Sequence, residues 1–558
     1  MALRTLYQTL MDSDLARLRV IAQQWDIELI AERRADMAAE LAETMARADA
    51  VEQVWEMLEP EPKVALEHLL RHDGAMPWAA FTRRWGRIRM VGPGRLEREA
   101  LWQTPISPAE SLWYWGLLQR APAIDATGAS VEMAFVPESL LLYLPTPAPL
   151  ETPLPKTTAP PLHVLSGDDR LCDDLVTLFA YVQNHDVHTD VTGQWPDRHH
   201  NAFAQQMRTP EAGGLLQTLA LEQEWLELDE REMLRPAPQP ILRWLRAERW
   251  EQWQTLTQAW LDSQNWNDLS LVPALQPDPT VGWPNEPLLT RRNVIERLTR
   301  CTPGVWYPLT GFIDHVREHA PDFMRPNADY DAWSLRDALT EAPLRGFEAW
   351  DAVEGALLGT LLLQPLAWLG IVELGKANPI LPPDSFRISQ MGAALLDLDD
   401  PLPLPDPPTM ELHTTGMIVV PLGRRYERFQ LSRIADAVTT TSTTYRYRLT
   451  PTSLTRAKRQ HIPLQRIIEF LTEATERTPA AALRKAIERA YRQSSQVQLT
   501  ETWVLRAKDP DLLDYEEVRD LLQERLGPRV ALVRAADMKR LTTILIQAGL
   551  LADVETFR

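Results

Sequence analysis

Three helices followed by a β-hairpin is an order that can be read three times along this chain. It predicts a mainly α protein of tandem winged-helix-like units with a small C-terminal α/β (α+β) domain. Two other features agree. Proline-rich stretches punctuate the chain, with six prolines in the sixteen residues Thr146–Pro161, a composition that gives semi-rigid linkers. The last sixty residues alternate strand-like and helix-like patterns. A length of 558 residues corresponds to about three to five domains.

The first segment, 1–50, reads as a helical hairpin. Leu15, Leu18 and Ile21 form one apolar stripe, Met37, Leu41 and Met45 a second, and Asp12-Ser13-Asp14 supplies a helix start. It is similar to the SAP motif, a two-helix DNA-binding hairpin, with Arg33-Arg34 ahead of its second helix. Segment 51–145 is the first winged-helix unit. Its helices are expected at 62–72, 77–85 and 111–120, with a turn at Asp125–Gly128 and a strand at 131–136. After the 146–161 linker, segment 162–284 repeats the order. It has helices at 171–182, 196–206 and 214–221, a hairpin around Asp229, and a Trp-rich helix over 242–263. Segment 285–396 is the third unit, with helices at 291–300, 309–319 and 350–363 and wing strands at 368–374 and 385–389. Segment 397–558 begins with the linker Pro401–Pro408 and carries strands near 417–421 and 446–449. Helices follow at 453–458, 464–475 and 479–493, and the end-piece runs strand 497–505, helix 512–525, strand 529–533 and helix 535–548.

Composition excludes several classes. Two cysteines, Cys172 and Cys301, cannot form a disulfide framework, and the expected location is the cytoplasm. The apolar run Ala356–Val372 is interrupted by Pro365 and Gly370 and is too short to span a bilayer, so no membrane partner is expected. The net charge is −19. Between Gly423 and Arg492, however, 15 Lys/Arg face 6 Asp/Glu, a local +9 that leaves −28 for the rest. A basic island on an acidic body is the footprint of one localised phosphate-binding face.

The candidate chemical motifs are weak. Gly370-Ile-Val-Glu-Leu-Gly375-Lys376-Ala377 approaches a phosphate loop, but Ala377 has no hydroxyl for Mg²⁺ and Glu373 would face the phosphates. Leu228-Asp229-Glu230 resembles a Walker B ending but falls in an expected turn. His315-Val-Arg-Glu318-His319 matches the H-x-x-E-H order of a zinc protease, and that chemistry needs a third ligand. His185, His188, His199 and His200 near Cys172 fit no zinc spacing. No catalytic residue, metal or cofactor is expected.

The last third carries a family signal. The segments Tyr426-Glu-Arg-Phe-Gln-Leu-Ser-Arg433-Ile-Ala-Asp436, Tyr447-Arg-Leu-Thr-Pro-Thr-Ser-Leu454 and Ile467-Ile-Glu-Phe-Leu471 resemble the helicase-associated domain on the N-terminal side of XPB-type helicases. The resemblance covers about 150 residues at the C-terminal end, and it implies association with DNA or a helicase without a motor. The expected function is therefore non-enzymatic DNA binding, to duplex or single strand, with a separate helicase as protein partner. The phosphate-contacting residues would be Arg424, Arg425, Arg446, Arg448, Arg456, Lys458, Arg459, Arg484 and Lys485. The alternatives are a scaffold that docks a separate helicase or transcription partner and, more remotely, a zinc metalloprotease at His315 and His319.

Overall fold

The computed structural model describes residues 4–124, 130–148, 153–156, 159–189, 195–325, 327–401, 403–493, 502–547 and 550. The expected turn at Asp125–Gly128, the start of the strand expected from Val497, parts of the Thr146–Pro161 linker and the end of the last helix lie outside them. The chain divides into two units. Unit 1 comprises Met1–Pro408 and Pro421–Gln430, and unit 2 comprises Thr409–Val420 and Leu431–Arg558.

The expectation of a mainly α chain of tandem winged-helix units is corrected. The structure is mixed α+β, about 49% helix and 15% strand, with several small antiparallel sheets. The reason is visible in its cores. One continuous apolar cluster runs from Leu154 to Phe429, across the boundary drawn between segments 162–284 and 285–396. A self-contained unit would bury its hairpin against its own three helices. Between segments 162–284 and 285–396 strands are shared instead, His163–Leu165 with Val372–Lys376 and Leu275–Pro277 with Leu335–Asp337. Strands β1 (Ala75–Pro77), β2 (Gln119–Ile124) and β3 (Ser130–Phe135) form one sheet in the order β1-β3-β2. A second sheet has the order β4-β10-β11-β8 and takes β4 (His163–Leu165), β8 (Tyr307–Pro308), β10 (Val372–Lys376) and β11 (Ser385–Ile388) from stretches more than 200 residues apart. The pairs β5 (Leu226–Leu228) with β6 (Leu234–Pro236), and β7 (Leu275–Pro277) with β9 (Leu335–Asp337), are two-stranded.

At the N-terminal end, helices Leu6–Met11, Leu15–Gln24, Arg34–Met45 and Ala48–Met57 share a core with Leu66, Phe81, Leu112 and Leu118. Asp14 caps the second of these by accepting from the Arg17 amide. The helix capped by Ser107 ends at Tyr114, earlier than its Leu and Trp content suggests. Gly116 follows in the left-handed region (φ 69°), and the amides of Leu117 and Leu118 turn back to the Leu112 carbonyl. Glu110 in this helix is fully buried. Its carboxylate accepts from the Arg89 guanidinium at 2.7 and 2.8 Å and from the amides of Ile106 and Arg89.

Burial alone would raise the Glu110 carboxyl, but Arg89 and the two amides hold it below its ordinary value. Asp169 behaves alike: desolvation opposes ionisation, and Arg425 and Arg249 overcome it. A carboxylate depressed in the folded state gives stability that is full above its unfolded value, near 4, and is lost as pH falls through the lower folded value. The urea midpoint of the chain is therefore expected to drop steadily below about pH 4. Glu110→Gln is expected to start from a lower midpoint at neutral pH and to show a shallower acid decline, followed by fluorescence of the Trp residues.

The middle of unit 1 is built on four helices named here: α1 (Arg170–Asn184), α2 (Arg249–Asp262), α3 (Pro287–Leu298) and α4 (Leu309–His319). The single helix expected over 242–263 is two, Pro238–Arg246 and α2, broken at Ala247–Glu248. Its Trp residues are core: Trp253 and Trp260 are each 1% exposed, and the indole N–H groups reach the Leu369 carbonyl and Asp268. The apolar run from Ala356 folds as a buried helix to Leu363, a break at Gln364, a short helix Pro365–Trp368 where the sequence predicts the start of a strand, and then β10. Among the described residues no helix is long and apolar enough to cross a membrane.

Unit 2 has a sheet in the order β12-β13-β15-β14, from Glu411–Leu412, Met417–Pro421, Thr444–Arg448 and Asp436–Thr440 respectively. Three helices follow: α5 (Pro451–Arg459), α6 (Leu464–Thr475) and α7 (Ala481–Gln493). α5 starts in a capping box made by Thr450 and Ser453. The end-piece is not α/β. In place of the helix expected over 512–525 are a 3-10 turn, a short helix Glu516–Arg519 and strand β17 (Leu522–Gly527). β17 pairs with β18 (Val530–Arg534) across Pro528-Arg529, and β16 (Thr502–Arg506) pairs with the other edge of β18.

Candidate functional site

The nine cations singled out above fall into separate groups. Arg424 and Arg425 belong to unit 1, because Pro421–Gln430 packs there. Arg425 is 1% exposed and its guanidinium is fully used. It donates to Asp169 at 2.6 Å, to Gln252 at 2.7 Å, to the Asp169 carbonyl at 2.8 Å and to Asp173 at 3.1 and 3.2 Å. Arg249 holds the same Asp169 carboxylate at 2.7 Å, and Arg428 bonds the Asp173 carbonyl at 2.6 Å and the Thr177 hydroxyl. No phosphate reaches such a group, so Arg425 is removed from the binding set. Arg424 donates to the Pro407 and Pro408 carbonyls and pairs with Glu427 at 3.2 Å. It too serves the fold.

Within unit 2, Arg456 is tied inward. It pairs with Asp436 at 2.9 Å and donates to the Ser432 and Ala435 carbonyls, so it fixes the start of β14 to α5. Arg446 and Arg448 alternate on β15 with Tyr445 and Tyr447, which are 3% and 5% exposed. Alternation puts the two arginines on the exposed face of the sheet.

The remaining four lie on helices α5 and α7. Lys458 and Arg459 are exposed in the last turn of α5, where a cation is favoured by the helix dipole. Lys458 Nζ lies 5.8 Å from the Tyr491 ring centre, and the Tyr491 hydroxyl donates to the Ile462 carbonyl at 2.9 Å. These contacts place the C-terminal ends of α5 and α7 together. Lys485 is exposed on α7, whereas Arg484 spends part of its charge on Glu488 at 3.1 Å.

Two residues outside the original set join this group. Arg489 and Arg492 follow Lys485 on α7 at steps of four and three, so the three share one helical face, and all are exposed. The sequence signal was there in Arg484-Lys485-x-x-x-Arg489-x-x-Arg492, read at helical period. Among the described residues Lys458, Arg459, Lys485, Arg489 and Arg492 make no ion pair with any carboxylate. From Leu431 to Gln493 the chain carries 12 Lys/Arg against 5 Asp/Glu.

The other motifs resolve structurally. The phosphate-loop near-match is the turn into β10 and β10 itself, an inner strand paired with β4 and β11. Gly370 (φ 74°) is needed because a Cβ there would lie 2.4 Å from the Asp168 carbonyl oxygen, and a Cβ on Gly375 would meet the Ser385 hydroxyl at 2.5 Å. Both glycines serve close backbone packing. Asp229 closes its hairpin by accepting from the Arg231 and Met233 amides and pairs with Arg235 at 3.1 Å. Among the described residues no three His, Cys, Asp or Glu side chains converge as metal ligands, so His315 and His319 have no third partner for a zinc protease site. The thiols of Cys172 and Cys301 are buried, and desolvation pushes both up to about 12. A cleft of about 620 Å³ is lined by Trp78, Arg83, Tyr330, Trp333 and Phe347 among others. Its two arginines are already committed, Arg83 to Asp322 at 2.7 Å and Arg325 to the buried Glu354.

In comparisons with known proteins, no family model and no curated protein matches this chain.

Proposed function

We propose that the protein is a non-enzymatic nucleic-acid-binding protein that holds a phosphate backbone on α5 and α7 of unit 2. One observation carries this reading: Lys458, Arg459, Lys485, Arg489 and Arg492 are exposed and without a carboxylate partner among the described residues, in a chain of net charge −19. Cations left unpaired on an acidic protein are available to release counterions from a polyanion. Helical side chains of this kind contact phosphates, which positions a duplex without reading its sequence. Arg446 and Arg448 form a second, smaller exposed pair on the sheet face. The resemblance in the C-terminal third adds a separate helicase as protein partner, and two buried, unpaired thiols support a cytoplasmic location.

Fluorescence anisotropy of the full chain with a labelled duplex tests the reading. Binding at 50 mM salt that weakens by orders of magnitude at 200 mM is expected, with little dependence on base sequence. No binding to duplex or single strand at low salt would end it. Recovery of a helicase from extracts treated with nuclease would move the protein to the scaffold reading.

A further inference from the structure

A second set of uncompensated positive groups lies in unit 1. Arg297 near the end of α3 and Arg300 in the turn after it meet His315 and His319 of α4 around a small pocket. Its apolar wall includes Phe312 and Val316, and the space it encloses is about 10 Å³. The enclosed part suits one water-sized group, so a ligand would sit at the mouth.

Among the described residues no Asp or Glu lines this pocket. Arg297 gives Nη1 to the Asn293 carbonyl of its own helix at 2.6 Å, while its Nε is sealed from solvent and has no hydrogen-bond partner among the described residues. Arg300 is exposed and forms no ion pair there. The His319 Nδ1 bonds the His315 carbonyl at 2.9 Å, which leaves Nε2 as the free polar atom of the ring. The two imidazoles stack at 4.3 Å between centres, with planes 23° apart. Glu296 and Glu318 are the nearby carboxylates, but neither lines the pocket. Burial, then His319 and Arg300, lowers the His315 imidazole below its ordinary value against the pull of Glu318. Two permanent cations and two imidazoles crowd together with an orphaned N–H donor.

We infer that this pocket binds a phosphate group at its mouth, a tetrahedral oxyanion that accepts from the guanidinium groups of Arg297 and Arg300 and from the histidine Nε2 atoms. Such a ligand neutralises the repulsion among the four groups. The pattern of two histidines one helical turn apart is then accounted for by anion binding. The inference does not depend on unit 2 binding nucleic acid.

The test uses the full chain with isotope-labelled histidines, the His315 and His319 signals being assigned by single His→Asn variants. Inorganic phosphate is added against chloride at equal ionic strength. A saturable shift of both signals is expected, weakened roughly tenfold in Arg300→Gln, where one charge-assisted bond to an exposed side chain is lost. Arg297→Met, which keeps the side-chain bulk, should weaken it at least as much. A parallel arm adds a short duplex oligonucleotide. A response to the oligonucleotide alone assigns the site to backbone phosphodiesters, and a response to phosphate assigns it to the free ion; either supports the site. If neither ligand shifts the signals beyond chloride, or if Arg300→Gln and Arg297→Met both respond like the native chain, the inference is overturned.

Discussion

Arg425→Met is expected to destabilise unit 1 by about 3–5 kcal/mol, the cost of breaking a buried ion pair by removing one partner. Methionine fills most of the space, so the loss isolates charge from packing. The side chain of Arg425 is wholly inaccessible and binds both Asp169 and Asp173, which are 8% and 2% exposed. Without it Asp169 keeps Arg249, while Asp173 retains the Gly423 amide at 3.2 Å and Arg428 at 3.9 Å. A buried carboxylate so poorly compensated must take up a proton or admit water, and both cost stability. Urea unfolding followed at neutral pH gives the size of the loss. Because the chain has two units, the transition is to be fitted separately for each. Adding Asp173→Asn removes the stranded charge, so the double variant should recover part of the loss. A change below about 1 kcal/mol for Arg425→Met would show that the buried network is not what fastens Pro421–Gln430 into unit 1.

The second large effect concerns binding. Replacing Lys458, Arg459, Lys485 and Arg489 together by Gln is expected to weaken duplex binding roughly four thousandfold at 0.1 M salt, from about 0.9 decade per lost phosphate contact relative to 1 M. All four side chains are exposed and none holds a carboxylate among the described residues, so the variant should fold as the native chain does. An unchanged circular dichroism spectrum and urea midpoint would establish that. The pair change Arg446→Gln with Arg448→Gln is a useful contrast, because it removes two cations from the sheet face alone.

The sequence was most legible where periodicity was local. α4 and α6 occupy the ranges their apolar spacing indicates, Leu309–His319 and Leu464–Thr475, because both are amphipathic and flanked by proline or turn residues. Strand β14 was missed. Its turn, Thr441-Ser442-Thr443-Thr444, has no Gly, Asn or Asp. The hydroxyl of Thr441 does their work by accepting from the amides of Thr443 and Thr444. The β17 segment has the composition of a helix, because Leu-Gln-Glu-Arg-Leu is rich in helix formers, although Gly527-Pro528 is a turn signal directly after it.

Tertiary assembly was the least legible part. The partners of Arg425 lie some 250 residues upstream in α1 and just before it, and nothing near Gly423 marks that arginine as buried. β4 likewise looks like linker until β10 pairs with it. A basic stretch shows how much positive charge is present, but only packing decides which cations remain free. In this chain the local count of +9 included Arg424, Arg425 and Arg456, all consumed internally, and it is the period of α7 that supplies Arg489 and Arg492 instead.

The decisive measurement compares the slope of log affinity against log salt for the native chain and for the four-fold Gln variant on the same duplex. If those side chains displace cations from the backbone, the native slope is steep and the variant's is shallower by about 3–4. Equal slopes for the two proteins would mean that whatever the chain binds is not held by α5 and α7.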